Sequence, residues 1–338
     1  MSLLTIAIPT YNRIDCLKVL IDRLIDEFGH IDDWSSNIEL IIVNNASTDG
    51  TRKYLDALLE RLPCKVFHNA ENLGMDGNFV RCFEVASSRW LWLCSDDDLP
   101  MVGAIPMIVD GLRAASADCG LVYLHTRFHS GSLEHNRERA ENQTLQIESA
   151  QQFAARVNGL FTFITCIIAD RAAFLAAVSQ PDLKTLRGSF FVFFEWQLEL
   201  LKRAKHFGYF PRALMLARAE NSKGYDFAKV FTKRFTDACM VKLSDRPDLL
   251  KLIIDGIRYR HLAKLFYMTR IGRNGDFQFD SAVARRDYVN AYGAGLFYYL
   301  VMYPVFAFPP ILVKAALFFG RVWGKVWFEW STRTRQLR

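Results

Sequence analysis

Three consecutive carboxylates, Asp96-Asp97-Asp98, follow the apolar run from Trp90 to Cys94. Adjacent acids at the end of a buried strand are costly unless something positive sits between them. A divalent cation, Mg2+ or Mn2+, held by one or two of these acids and completed by diphosphate oxygens, is the chemistry such a group suits. The bland alternative is a solvated acidic turn in which Asp98 caps the helix after Pro100. The triplet stands at a strand end with two other polar strand ends beside it, which favours the metal.

Those two strand ends are Pro9-Thr10-Tyr11-Asn12-Arg13 and Asn44-Asn45. Their short polar side chains and backbone groups suit hydrogen bonding to a base and ribose, with Tyr11 as an apolar face, although the same residue types also make turns and caps. Ser47 and Thr48 are expected to cap the helix that starts near Thr51. The stretch Asn72-Leu73-Gly74-Met75-Asp76-Gly77-Asn78 fits either a backbone approach to a ligand or an ordinary capped loop. Arg218, Asn221 and Lys223 follow the last strand, where they are either candidate diphosphate contacts or a solvated basic loop.

The elements that must position these residues alternate between short apolar runs and helix-period segments, which predicts an α/β domain with a mostly parallel sheet. Strands are expected at Leu3 to Pro9, Glu39 to Asn44, Lys65 to His68 and Trp90 to Cys94, with helices at Cys16 to Glu27, Thr51 to Arg61 and Gly77 to Ser87. Ligands in such sheets bind at the carboxyl ends of the strands, where these polar residues should converge. Further on, a helix is expected at Gly103 to Ala115 and a strand at Gly120 to His125. Ser130 to Glu148 is polar and reads as a mobile surface loop. A helix follows at Ala150 to Val157, then an apolar run from Leu160 to Ala169, a helix at Phe194 to Lys205, and strands at Tyr209 to Pro211 and Ala213 to Ala217. From about Tyr225 the chain reads as helical.

At 338 residues and 51% hydrophobic content the chain can bury a sizeable core, which excludes disorder for most of it. A formal charge of +6 suits an anionic partner such as a diphosphate or an acidic lipid surface and does not require nucleic acid. The seven cysteines are scattered, form no C-x-x-C pair, and read as reduced thiols. The N-terminus lacks a basic stretch followed by a long apolar one, so the catalytic part is expected to stay in the cytoplasm.

The set Ile8-Pro9-Thr10-Tyr11-Asn12-Arg13, Asn45-Ala46-Ser47-Thr48-Asp49-Gly50-Thr51, Asn72-Leu73-Gly74 and Ser95-Asp96-Asp97-Asp98 resembles glycosyltransferase family 2 with its GT-A fold. The variant Gly74-Met75-Asp76-Gly77-Asn78-Phe79 resembles the abequosyltransferase-like branch, which builds bacterial surface polysaccharides. The resemblance covers roughly residues 3–220 and implies an inverting transfer from a nucleotide sugar. By position it implies Asp96 and Asp98 as metal and diphosphate ligands, with Asp97 facing the sugar. Thr10, Tyr11, Asn44 and Asp76 fall where the family binds the nucleoside, and Asn44 stands where the family often has Asp. Pro9, Arg13, Asn45 and Asn78 complete the expected donor site. The family's catalytic base maps to Glu195, with Glu199, expected to be solvated, in reserve. A polyprenyl-diphosphate-linked glycan is the acceptor the family implies.

The expected organisation is a GT-A catalytic domain over 1–224, its nucleotide-sugar half 1–100 and acceptor half 101–224, and a helical region over 225–338. Tyr292 to Phe319 carries one charged residue, Lys314, and Pro304, Pro309 and Pro310 interrupt it. Two shorter helices, lying in a membrane interface or forming a re-entrant hairpin, are therefore expected within 288–330, rather than one spanning helix. Lys314, Arg321 and Lys325 fall near one helical face, and Trp323, Trp327, Phe328 and Trp330 suit the headgroup level. Arg333, Arg335 and Arg338 suit anionic lipid. The expected place is the cytoplasmic face of the inner membrane. A buried helical pair in a core or dimer interface is the alternative. For the whole chain, the competing readings are a catalytically silent nucleotide-sugar-binding scaffold and a nucleotidyltransferase.

Overall fold

The computed structural model describes residues 2–129, 131–179, 181–183, 185–218, 226–272 and 279–333. Its first strand, β1 (Leu4–Thr10), is mostly apolar and buried on both faces, as a strand covered by helices on two sides must be. Along the chain follow α1 (Ile14–Phe28), α2 (Trp34–Asn37), β2 (Ile38–Asn44), α3 (Thr51–Leu58), β3 (Lys65–His68), α4 (Gly74–Val85) and β4 (Trp90–Leu93). Helix α1 buries Leu17, Leu20, Ile21, Leu24 and Phe28, the stripe that its 3.6-residue period places on one face. β1 pairs in parallel with β2 on one side and β4 on the other, and β2 with β3. The register sets Thr10 opposite Asn44, so the carboxyl ends of these strands open on one edge.

The second half departs from expectation. After β5 (Leu99–Pro100), α5 (Ala104–Ala114), β6 (Cys119–His129), β7 (Gln146–Glu148) and α6 (Ala150–Val157) come β8 (Ile167–Asp170), α7 (Arg171–Ala177), α8 (Phe194–Arg203) and β9 (His206–Arg218). The sheet order is β3-β2-β1-β4-β8-β6-β9-β5, with β7 on β9. β6 and β9 run parallel, but β4/β8, β6/β8, β5/β9 and β7/β9 are antiparallel. The sheet is thus mixed rather than mostly parallel. A four-residue apolar run such as β8 has the same periodicity whichever way it points, so direction is not legible in it.

The polar excursion before Glu148 is tied down. Val102 N–H donates to Glu138 O and Ala140 N–H to Val102 O, each within 3.0 Å, and Arg23 donates to the carbonyls of Pro100 and Asn136. Nor does Asp98 cap α5. Both carboxylate oxygens of Glu27 accept from that helix's N-terminal region, at Gly103 and Ile105.

The chain forms two compact units, one of residues 1–148 with 163–219, the other of 149–162 with 220–338. The second is therefore not a contiguous tail, because α6 belongs to it, entered through a Ser149/Gln152 capping box. Its helices include Phe235–Leu243, Pro247–Ile257, Ala263–Arg270, Ser281–Tyr292 and Pro310–Arg333. Phe266, Tyr288, Val301 and Val313 are among its buried side chains.

Candidate functional site

The sharpest local feature of the first unit lies where β1 and β4 end. Thr10, the last residue of β1, donates its hydroxyl to Asp96 Oδ2 at 2.7 Å. Arg13, one residue before α1, reaches across with Nη1 3.2 Å from Asp96 Oδ1 and 3.0 Å from Asp97 Oδ2. Ser95 closes the other oxygen of Asp97. Asp98 points the opposite way, accepting from the Thr165 hydroxyl and, at 3.1 Å, from the backbone N–H of Arg218, where β9 ends.

Asp96 and Asp98 are only 3% and 1% exposed, which overturns the picture of a solvated turn. Burial is the main force on both. It pushes Asp96 up to about 6, with Arg13 pulling against it and Asp97 adding to it. Burial and the neighbouring Asp97 charge push Asp98 well above the ordinary carboxylate range. Among the described residues Arg13 is the cation paired with Asp96 and Asp97, and burial still pushes Asp96 and Asp98 above their ordinary range.

The loops around the cluster are wired together. Asn12, at φ 51°, accepts from Thr48 N–H at 2.8 Å and donates its own N–H to Ser47 Oγ, while Asp49 accepts from Ile14 N–H. Ser47 and Thr48 therefore brace the loop after β1 rather than cap α3, whose flanking Gly50 sits at φ 90°. Tyr11 stands 43% exposed beside Thr10.

The other expected donor residues make hydrogen bonds or strand pairs within the first unit. Pro9 lies within β1 opposite Val43. Asn44 contacts His68 Nδ1 at 3.0 Å and accepts from Ser47 N–H. Asn45 donates to Asn72 Oδ1 and Gly74 O and accepts from Asn69 and Leu73, and Asn78 accepts from Asn69 and donates to Val43 O. These buried amides form a closed network holding the Asn72–Gly74 loop. Asp76, at the start of α4, accepts from the backbone N–H groups of Gly188, Phe190 and Val192 at 2.7, 3.1 and 3.4 Å. It thus fixes the segment that leads into α8.

Glu195, in the first turn of α8, is 3% exposed and accepts Leu186 N–H at 3.0 Å. Glu199 is not solvated. Burial would raise its pKa, but Arg203 and Lys202 bond to it and hold it below the ordinary value. Arg218 sets its guanidinium 3.2 Å from Cys16 Sγ and its backbone on Asp98. Asn221 and Lys223 lie outside the described residues. Thr165 was not foreseen. It joins the site because β8 is threaded beside β4, a pairing with no local signal in the sequence.

Among the described residues no three His, Cys, Asp or Glu side chains converge as a protein-only metal cage. The donor set fits a cation of another kind, one that takes much of its shell from diphosphate and water. Among the described residues each carboxylate oxygen of Asp96 and Asp98 accepts one hydrogen bond and keeps a second lone pair.

Strand ends of this kind, an acidic cluster under a basic clasp and a mixed sheet flanked by helices make up a GT-A-like glycosyltransferase scaffold. The chain belongs to glycosyl transferase family 2, whose sequence profile matches residues 5–177, just over half of it. It is 24% identical over 177 residues to abequosyltransferase RfbV of Salmonella typhimurium, covering 49% of this chain and 52% of that one. The chain thus spans about half the length of that relative. In fold it is similar to S. aureus TarS 1–349 in complex with UDP-GlcNAc, at TM-score 0.59 and 12% identity over 99% of this chain and 92% of that one. It is also similar to the mannosyltransferase PcManGT of Pyrobaculum calidifontis in complex with GDP-Man and Mn2+, at TM-score 0.55 and 13% identity over 99% and 86%. These neighbours share the GT-A-like architecture.

Proposed function

We propose that this protein is an inverting glycosyltransferase that moves a sugar from a nucleotide-sugar donor to a polyprenyl-diphosphate-linked glycan in bacterial surface-polysaccharide assembly. The observation that carries the reading is the cluster of Asp96, Asp97 and Asp98 at the strand ends of a family 2 chain, with Asp96 and Asp98 buried and pushed above the ordinary carboxylate range. Asp96 and Asp98 would hold Mg2+ or Mn2+, which when bound would supply charge neutralisation for the diphosphate. Thr10 and Arg13 fix Asp96, Asp97 faces the sugar, and Tyr11 offers its ring to the base. Arg218 lies beside the diphosphate. In the transfer, the acceptor oxygen forms a bond to the anomeric carbon while the bond to the diphosphate oxygen breaks. The electron pair leaves with the nucleoside diphosphate, and the acceptor proton passes to the Glu195 carboxylate. Inversion follows from attack on the face opposite the leaving group. The acceptor's lipid places the enzyme at the cytoplasmic face of the inner membrane, a reading supported by the exposed apolar residues of the second unit.

The test is product analysis with a panel of nucleotide sugars. Manganese-dependent release of nucleoside diphosphate that disappears in Asp98→Ala supports the transferase. Release of inorganic diphosphate would identify a nucleotidyltransferase instead, and donor binding without turnover a silent scaffold.

A further inference from the structure

The helix Pro310–Arg333 carries two apolar strips, one buried and one exposed. Val313, Ala316, Gly320, Gly324 and Trp327, spaced three and four apart, form a buried seam within the second unit. The seam is close-packed. A Cβ on Gly324 would meet the Tyr259 carbonyl oxygen at 2.7 Å, and one on Gly320 would meet Val301 at 3.0 Å. Along the exposed strip Ile311, Leu312, Phe319, Val322, Val326 and Trp330 are all between 47% and 76% exposed. Leu296, Tyr299 and Leu300, a little earlier in the chain, add to the exposed apolar surface of this unit. Scattered exposed apolar residues need no explanation, but a strip running the length of a helix does.

Charge along the same helix identifies what covers the strip. Lys314, Arg321 and Lys325 are exposed along one edge, between the seam and the apolar strip, and form no ion pair among the described residues. Glu329, half-buried near the C-terminal end and engaged by other groups, is the acid of this stretch. An apolar strip bordered by a row of cations fits a surface that is itself apolar with an anionic border, which is a lipid leaflet. A protein partner would not require the cations to lie in one row. Among the described residues no helix is long and apolar enough to cross a membrane.

We propose that helix 310–333 lies in the plane of an anionic lipid surface, its exposed apolar strip among the acyl chains and Lys314, Arg321 and Lys325 on lipid phosphates. The inference deepens the membrane-side reading given above by naming the lipid class and the inserted face. It is tested by co-sedimenting the full chain with phosphatidylcholine vesicles, with and without phosphatidylglycerol, and by quenching tryptophan fluorescence with lipids spin-labelled at different depths. Trp330→Phe assigns the quenched signal. The expected result is binding that needs phosphatidylglycerol, with Trp330 quenched only by shallow labels. Each cation near an anionic surface contributes about a fivefold factor, so K314E/R321E/K325E, which loses three cations and adds three acids, should weaken binding by more than about a hundredfold. F319E/V322E/V326E should abolish it. Both variants sit on exposed positions, and unchanged circular dichroism and vesicle-free donor hydrolysis show that they are folded.

Wild-type protein that ignores anionic vesicles would overturn the proposal, as would full binding by the charge-reversed variant. A dimer in lipid-free solution, dispersed by F319E/V322E/V326E and without vesicle binding, would assign the strip to a second copy of the chain. Vesicle binding by a protein that transfers no sugar would remove the transferase reading and leave this one standing.

Discussion

Two buried carboxylates stand toward opposite ends of the same parallel strands, and their surroundings push them in opposite directions. Glu39, near the start of β2, accepts from Lys65 Nζ at 2.6 Å, from Ser87 N–H and Oγ at 2.8 and 2.7 Å, and from the Thr5 hydroxyl. Burial alone would raise its pKa, but these bonds hold it down to about 2. Asp96, just past β4, is pushed up to about 6, chiefly by burial, with a shared guanidinium in partial compensation. The fold can satisfy a buried acid completely when the acid serves structure. Where it leaves acids under-compensated, at the end of the sheet where ligands bind, the missing charge is left for a ligand to supply.

The contrast can be broken at either end. Removing an acid at the upper end should cost activity and little stability. Asp98→Ala is expected to lower donor turnover by about a thousandfold, the size of effect seen when a charge-stabilising group is removed from an active site. Its melting temperature should change little, because relief of a poorly compensated buried acid offsets the acceptor that the Thr165 hydroxyl and Arg218 N–H lose. Steady-state kinetics beside a thermal melt reads both.

At the lower end the costs exchange places. Glu39→Ala leaves Lys65, Thr5 and Ser87 without their acceptor and should destabilise the protein by about 3 kcal/mol, with turnover per folded molecule retained. The sign of the pH effect follows from the depressed pKa. Glu39's contribution is fully present above its ordinary value near 4.5 and is lost as pH falls toward about 2. Urea melts between pH 6 and 3 should show that loss in the wild type and lack it in Glu39→Gln.

A smaller effect separates the amide network from the donor site it neighbours. Asn45→Ala removes four hydrogen bonds and should cost about 2 kcal/mol of stability, while donor KM changes less than about threefold, an energy below about 1 kcal/mol. A large rise in KM at unchanged stability would show that Asn45 contacts the donor instead. The smallest effect is expected at Asp76→Asn. With the Gly188–Val192 segment held by a weaker acceptor, kcat should fall by about tenfold at constant donor KM, through misplacement of Glu195.

Much of the upper half of the molecule is legible in its residues. Strands β1 to β4 sit within a residue or so of where apolar runs bounded by polar turns place them, and α1 follows from its apolar stripe. The acidic triplet announces itself because its cost at a strand end demands a partner. What the sequence does not carry is direction and wiring. β8 gives no sign that it runs antiparallel between β4 and β6, so the mixed sheet and the arrival of Thr165 at Asp98 depend on tertiary routing. Asn45, Asn78 and Asp76 have the composition of ligand-binding groups. Their bonds to Asn72, Asn69 and the backbone of Gly188 to Val192 span up to 116 positions and have no local pattern.

The central claim is that the acids after β4 bind a cation together with a nucleoside diphosphate. Isothermal titration of Mn2+ with a nucleoside diphosphate tests it directly, using wild type, D96N/D98N and, as a scaffold control, E39Q. Binding should be found in wild type and E39Q and lost in D96N/D98N, which remains folded. Equal manganese-dependent binding by D96N/D98N would contradict the account.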